Sequence, residues 1–319
     1  MHEFRCTSVF EGRWRAAFLL VISALAASSI VACKSSERTN GNPGIIRFAF
    51  QPSEEEMQDN SVRAKLLSDY LKSQLNIPVE VINVTGYAPT IEAMHTGKID
   101  IAAFGPMGYL LASQKAGAEP IVAAGNANGT LGTYNSIIAV PKNSPLHSID
   151  DLKTQAKNLT FMFVDPASTS GYLIPRAYLQ SIGLNPERDF GKVIFAGSQA
   201  AGILTIKAGK IDAGSVMQQI LIPRLIALGK LAPDDLRILW TSEPIPHSPI
   251  CVRSTLPGPL KLKIQQALVD IPQKDPALWQ VFKDTYRIPD LTFVPVSDSN
   301  YAPLRKYADQ IKDLNINEK

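Results

Sequence analysis

The chain has 319 residues, enough for two domains of ordinary size, and its 45% hydrophobic and 19% charged residues are the values of a globular protein. A formal net charge of +3 with no dense Lys/Arg run argues against a nucleic-acid partner.

The N-terminus reads as an export signal over residues 1–32. Arg13 and Arg15 precede an apolar run from Ala16 to about Ala26, too short to span a membrane comfortably, and small residues follow. Ile30-Val31-Ala32-Cys33 resembles a bacterial lipobox, which implies cleavage before Cys33 and lipidation of its sulfur; the alternative is an ordinary signal with an incidental cysteine. Residues 33–44 are then a polar tether. Cys6 leaves with the signal and Cys33 carries lipid, so Cys251 stands alone and is expected to be buried.

Ile45 to Phe50 reads as a first strand, and Ser53 with Glu56 forms a capping box opening a helix. Val62, Leu66, Leu67, Tyr70, Leu71 and Leu75 form its apolar stripe, and Val79 to Val84 is a second strand. This β-α-β start argues for a parallel sheet. A short helix after Tyr87-Ala88-Pro89 ends at Gly97, Lys98 to Phe104 is a buried strand, and Gly105 to Tyr109 is a loop at its end. Ligands bind in such places in open α/β sheets, which makes Tyr87 and Tyr109 candidate contacts; packing is the alternative for each. Ile121 to Ala124 and Ser136 to Val140 are further strands, with a first crossing between lobes near Tyr134–Ser136.

Asp165-Pro166-Ala167-Ser168-Thr169-Ser170-Gly171-Tyr172 is a strand-to-helix turn between the apolar run 159–164 and a helix over 171–182. The first N–H groups of a helix lack intrahelical partners and favour an anion, and three adjacent hydroxyls add donors. With no Lys or Arg between Val164 and Arg176, such an anion would be held by neutral dipoles. The plainer alternative is an N-cap with spare serines. Pro175 suggests that the helix starts late, near Gly171.

A strand at Lys192 to Ala196 follows, and Gly197 to Gly202 opens another helix that ends at Gly209-Lys210-Ile211-Asp212. Gly97-Lys98-Ile99-Asp100 has the same residues in the same helix–glycine–strand context, which points to two similar βαβ lobes. A helix over Met217 to Leu228, a strand over Leu236 to Trp240, an irregular proline-rich stretch over 242–249 and a crossing strand over Ile250 to Arg253 come next. Helices over Leu260 to Ile271, Pro276 to Thr285 and Ser297 to Leu314 complete the chain and are expected to pack on the first lobe. The lobes are thus 45–135 plus 250–319, and 136–249. The histidines are scattered, and neither a metal-ligand cluster, a Gly-x-Ser-x-Gly elbow nor a phosphate-binding P-loop appears, so no metal, cofactor or catalytic residue is expected.

Gly86-Tyr87-Ala88-Pro89, the stretch Lys98 to Pro106, Asp165 to Tyr172, Ile211-Asp212-Ala213, and Ile238 to Ser242 with Ile245-Pro246 together resemble the substrate-binding proteins of phosphate, phosphite and phosphonate ABC importers. The resemblance covers about Ile45 to Ile288. It implies an α/β type II periplasmic-binding fold, with two βαβ lobes joined by two crossings around a ligand cleft. It implies that Ser168, Thr169 and Ser170 give hydrogen bonds to a small phosphorus oxyanion, with Tyr87 and the segment Phe104-Gly105-Pro106-Met107 on the other lobe. A histidine usual in the family is here Gln199, which donates but carries no charge. Relatives that bind 2-aminoethylphosphonate set two carboxylates around its ammonium; the aligned residues here are Gln219 and Ser248, so an ammonium would be left unpaired. His247 is either a further donor or a solvated loop histidine. The resemblance further implies a monomer that works with ABC permease subunits, and the lipobox places it as an exported periplasmic or cell-surface lipoprotein anchored to a bacterial membrane. A ligand sensor coupled to a membrane kinase is the runner-up, and an enzyme on this fold is disfavoured for want of a nucleophile–base pair.

Overall fold

The computed structural model describes residues 42–50, 58–84, 86–286, 288 and 290–310, all within one compact unit, Thr39–Lys319. The export signal, Cys33, most of the tether, and the Ser53–Glu56 capping box lie outside the described residues.

The strands are β1 Ile46–Phe50, β2 Val79–Val81, β3 Ile101–Ala103, β4 Ala118–Asn126, β5 Thr133–Tyr134, β6 Ser136–Pro141, β7 Thr160–Phe163, β8 Lys192–Phe195, β9 Ala213–Met217, β10 Leu236–Thr241, β11 Ile245–Pro246, β12 Pro249–Arg253 and β13 Leu291–Pro295. One sheet has the order β2-β1-β3-β12-β4-β13 and the other β8-β7-β9-β6-β10. The first five strands of one sheet and the whole of the other follow one scheme. Each has three parallel strands, then an antiparallel strand, then another antiparallel to that. This is the two-lobed α/β fold that the sequence implied.

The twin Gly-Lys-Ile-Asp segments occupy equivalent places. Gly97 and Gly209 end helices in the left-handed region, at φ 70° and 65°. Asp100 exchanges backbone and side chain with Arg47 of β1: its N–H donates to the Arg47 carbonyl at 2.8 Å, and its Oδ2 accepts the Arg47 N–H at 2.9 Å. Asp212 does the same with Thr160 of β7, at 3.2 and 2.7 Å. The same four residues clamp the third strand of each lobe to its first.

Both sheets are covered on both faces, as parallel strands require. Along β7 the pleat sends Phe161 and Phe163 into one apolar cluster and Met162, with Val164 just beyond, into the other. The helix Gln58–Leu75 buries Ala64, Leu67, Tyr70, Leu71 and Leu75. Val62 and Leu66, expected on that face, are 57% and 39% exposed, because the stripe that meets the sheet is rotated toward Ala64. Cys251 is free and fully buried, as expected.

Several elements differ from expectation. The segment expected as a loop at Gly105–Tyr109 is the start of a helix, Pro106–Ala116, with Gly105 as its cap. Proline at the first helical position forfeits no hydrogen bond and presets φ. Met217 ends β9, and the helix expected from it begins at Leu221 and runs to Ala227, which places Pro223 in the tolerated first turn. β2 stops at Val81. The proline-rich stretch 242–249 contains β11, which pairs with β5, and β12 belongs wholly to the first sheet. The second passage between sheets therefore lies between β10 and β12. β13 lies between two of the expected C-terminal helices, where the sequence analysis places no element, and it pairs with β4. The C-terminal helices are Gly258–Val269, Ile271–Lys274, Pro276–Tyr286 and Ala302–Gln310, preceded by a 3-10 turn at Asp298–Asn300.

Candidate functional site: a hydroxyl turn between two sheets

The hydroxyl turn does not become an α-helix at once. Thr169–Leu173 is a π-helical turn, and α-helix begins at Ile174, running to Ser181. The wide turn answers the difficulty posed by Pro175. A proline there cannot donate to the Gly171 carbonyl, and that carbonyl instead accepts the Val164 N–H at 2.9 Å and the Ser215 hydroxyl at 3.0 Å. Leu173 N–H reaches back to the Ser168 carbonyl at 3.0 Å, and the Ser136 hydroxyl donates to the Ser170 carbonyl at 2.6 Å. Gly171 is required by close approach, since a Cβ there would lie 2.4 Å from Val164 Cβ and 2.9 Å from Ser168 Oγ. Ser136 and Ser215 escaped the sequence reading. Their signal is a lone hydroxyl inside an otherwise apolar, small-residue strand.

Ser168, Thr169 and Ser170 are 2%, 3% and 1% exposed. Gln199 heads the helix Gln199–Lys207 behind them, and its side-chain NH2 donates to Ser168 Oγ at 3.2 Å and Ser170 Oγ at 3.1 Å. From the first sheet's side, Met107 N–H donates to Thr169 Oγ1 at 2.7 Å. The starts of the helices Pro106–Ala116 and Gln199–Lys207 and of the hydroxyl turn thus meet at one point, where the N-terminal halves of the peptide dipoles favour negative charge. Among the described residues no lysine or arginine enters this group. Arg176, the nearest along the chain, is buried against the Tyr172 ring and paired with Glu187. Asp165 opens the turn by accepting the Ala167 N–H, and burial raises its pKa.

The structure therefore joins Ser168, Thr169, Ser170, Gln199 and Met107. Phe104 and Met107 are wholly buried in the first lobe's apolar cluster, so what Met107 offers the cleft is its backbone N–H. Gly105 and Pro106 set that N–H at a helix start. Tyr87 is buried at the head of the helix Tyr87–His95, which packs on Pro106–Ala116. Tyr109, a candidate contact by sequence, gives its hydroxyl to Asp298 Oδ1 at 2.5 Å and is a packing residue. Gln219 is exposed and engaged at the crossings: its Oε1 accepts the Asn135 N–H at 2.6 Å, and its NH2 bonds Asn135 Oδ1. Asn135, also missed from sequence, donates to the Ser242 carbonyl at 2.6 Å and so ties the two crossings side by side. Ser248 is half-buried just before β12.

The family profile described as "ABC transporter, phosphonate, periplasmic substrate-binding protein" matches residues 48–301, which take in the hydroxyl turn and all of both sheets but the first two residues of β1. This chain belongs to that family. Its members are the substrate-binding components of ABC importers rather than enzymes. The chain is 28% identical over 236 residues to the phosphonates-binding periplasmic protein of Escherichia coli strain K12, covering 71% of this chain and 67% of that one. It is 30% identical over 241 residues to the phosphate-import protein PhnD of Mycolicibacterium smegmatis, covering 72% and 73%. Among solved structures, a binding-protein component of an ABC phosphonate transporter from Pseudomonas aeruginosa superposes with a TM-score of 0.73 at 25% identity, over 82% of this chain and 85% of that one.

In this phosphonate-family binding protein His247 is not the solvated loop residue that sequence suggested. It is 2% exposed, stacked on Tyr134 with ring centroids 5.7 Å apart and edge-on to Tyr286 at 6.1 Å. Burial lowers its pKa from 6.5 to about 4, so the ring is neutral at pH 7. The unfolded chain takes up this proton below about pH 6.5 and the folded chain only near 4, so stability is lost as the pH is lowered through that window, by about 3 kcal/mol in all. Urea unfolding at stepped pH should show this loss, and His247→Phe, which keeps the stack, should remove that part of the slope. An unchanged slope in the variant would refute the assignment.

Proposed function

We propose that this protein captures a small phosphorus oxyanion without an amine, such as phosphite, methylphosphonate, a similar phosphonate or phosphate, between its two lobes and delivers it to ABC permease subunits. The observation that carries the reading is the buried set of neutral donors at one point: Ser168, Thr169 and Ser170 with Gln199 behind them and a helix start facing them. Tyr87 and the Phe104–Met107 segment complete the pocket from the first lobe. Curated relatives carry names that specify phosphonates, phosphate and, for a probable binding protein of Prochlorococcus marinus, phosphite. The positions that would neutralise an ammonium are Gln219, engaged with Asn135, and Ser248, which argues against aminophosphonates. His247, held in an aromatic stack, supports the site by packing and not by charge. Lobes of 45–135 plus 250–319 and of 136–249 accord with the membership of the two sheets, and a lipid on Cys33 would hold a monomer at the membrane.

Calorimetric titration of the full-length protein in detergent with phosphite, methylphosphonate, phosphate and 2-aminoethylphosphonate tests this. Tight binding of one of the first three with weak binding of the last is expected. Preference for the aminophosphonate would overturn the assignment of Gln219 and Ser248.

A further inference from the structure

The hydrogens of the pocket follow one by one from the fact that a backbone N–H only donates. Met217 N–H donates to Gln199 Oε1 at 2.8 Å, which turns the carboxamide so that its NH2 faces the hydroxyl turn. That NH2 donates to Ser168 Oγ and Ser170 Oγ. Ser168 Oγ accepts a second hydrogen from Gly171 N–H at 3.1 Å, and Thr169 Oγ1 accepts from Met107 N–H at 2.7 Å. Each of the three hydroxyl oxygens is therefore an acceptor toward the protein, and each has its own proton left to give, at side chains no more than 3% exposed.

Each acceptor around them already holds at least one hydrogen. The carbonyl of Ser168 takes Leu173 N–H, that of Thr169 takes Ile174 N–H, that of Ser170 takes the Ser136 hydroxyl, and that of Gly171 takes Val164 N–H and the Ser215 hydroxyl. Gln199 Oε1 holds Met217 N–H, and Asp165 Oδ1 holds Ala167 N–H. An anion that brought an O–H to this face would compete for acceptors that already hold a hydrogen and would offer one poorer acceptor to the three hydroxyl protons.

We propose that the pocket presents hydrogen-bond donors only and captures its anion fully deprotonated, as the dianion, so that the ligand's own second ionisation sets the pH dependence of capture. This rests on the oxyanion reading above and narrows it to a protonation state. A phosphate-type group undergoes that ionisation near about pH 6, close enough to neutrality for capture to weaken in mildly acid surroundings. The titratable and charged groups on the elements around the turn are Asp165, Tyr172, Tyr178, the Arg176–Glu187 pair, Tyr87, Tyr109 with Asp298 and Arg305, and His247, together with Glu92, His95, Lys115 and Lys207 on the outer parts of their helices. A break caused by any of them would stand at one pH whatever the ligand.

The test is calorimetric titration of the full-length protein in detergent with methylphosphonate and with phosphite, in steps between about pH 5 and pH 9. Below each ligand's second ionisation the affinity should fall about tenfold per pH unit, and above it the affinity should be flat. The methyl group donates electron density and makes methylphosphonate the more basic ligand, so its break should lie at higher pH than that of phosphite. A flat profile, or a break at one pH for both ligands, would overturn the proposal while leaving the oxyanion reading intact. Binding of neither ligand at any pH would overturn both.

Discussion

Gln199→Glu should weaken oxyanion binding by about a thousandfold while leaving the thermal midpoint within a few degrees of the parent. The replacement has the same shape, and one carboxylate oxygen can still accept Met217 N–H. The other oxygen replaces an NH2 that faces Ser168 and Ser170. It accepts their protons and so turns both hydroxyls away from the cleft. Hydrogen bonds to a charged ligand are worth about 1.5–3 kcal/mol each, so two lost bonds account for about 3–6 kcal/mol before any repulsion between the carboxylate and the anion. Raising the proton concentration should partly restore binding to this variant, because a protonated glutamic acid donates again; the parent should move in the opposite direction. Gln199→His should stay within about tenfold of the parent, since a neutral imidazole accepts on one nitrogen and donates on the other. Calorimetry reads all of these. Unchanged affinity in Gln199→Glu would mean that the carboxamide lies the other way round and that the hydroxyl protons are not aimed at the cleft.

Thr169→Val is the second large effect, expected at about a hundredfold loss of affinity. Thr169 has two tasks: its oxygen accepts Met107 N–H from the opposite lobe, and its proton is left for the ligand. Valine keeps the volume and the β-branch and removes both. One neutral hydrogen bond contributes about 1 kcal/mol and one to an anion about 1.5–3 kcal/mol, which together give that order of loss. Because the first of these bonds closes the cleft, small-angle scattering should also show a more open average shape for the variant. Thr169→Ser should recover most of the affinity. If valine binds as tightly as threonine with no change in shape, the contact is incidental.

What the residues themselves determined was local or repeated. The β-α-β start, the apolar run 159–164, the hydroxyl turn and the twin Gly-Lys-Ile-Asp segments depend on spacing within a few residues, and each appears in place. The resemblance to an importer family was legible because its motifs sit at those same strand ends. Tertiary structure alone decided the rest. Whether Pro106 begins a helix or sits in a loop depends on the preceding strand and the packing beneath it. Pro175 is accommodated by a π-turn only because Val164 and Ser215, distant in sequence from each other, are placed to take up the freed carbonyl. Gln219 is engaged at the crossing because Asn135 lies beside it across the fold, and His247 is buried because Tyr134 and Tyr286 converge on it. The direction of the three hydroxyl protons is set by N–H groups of Met107, Gly171 and, through Gln199, Met217. Two of those three lie far along the chain from the turn, and a hydrogen bond's direction follows from which atoms meet in space, which no local pattern of residues specifies.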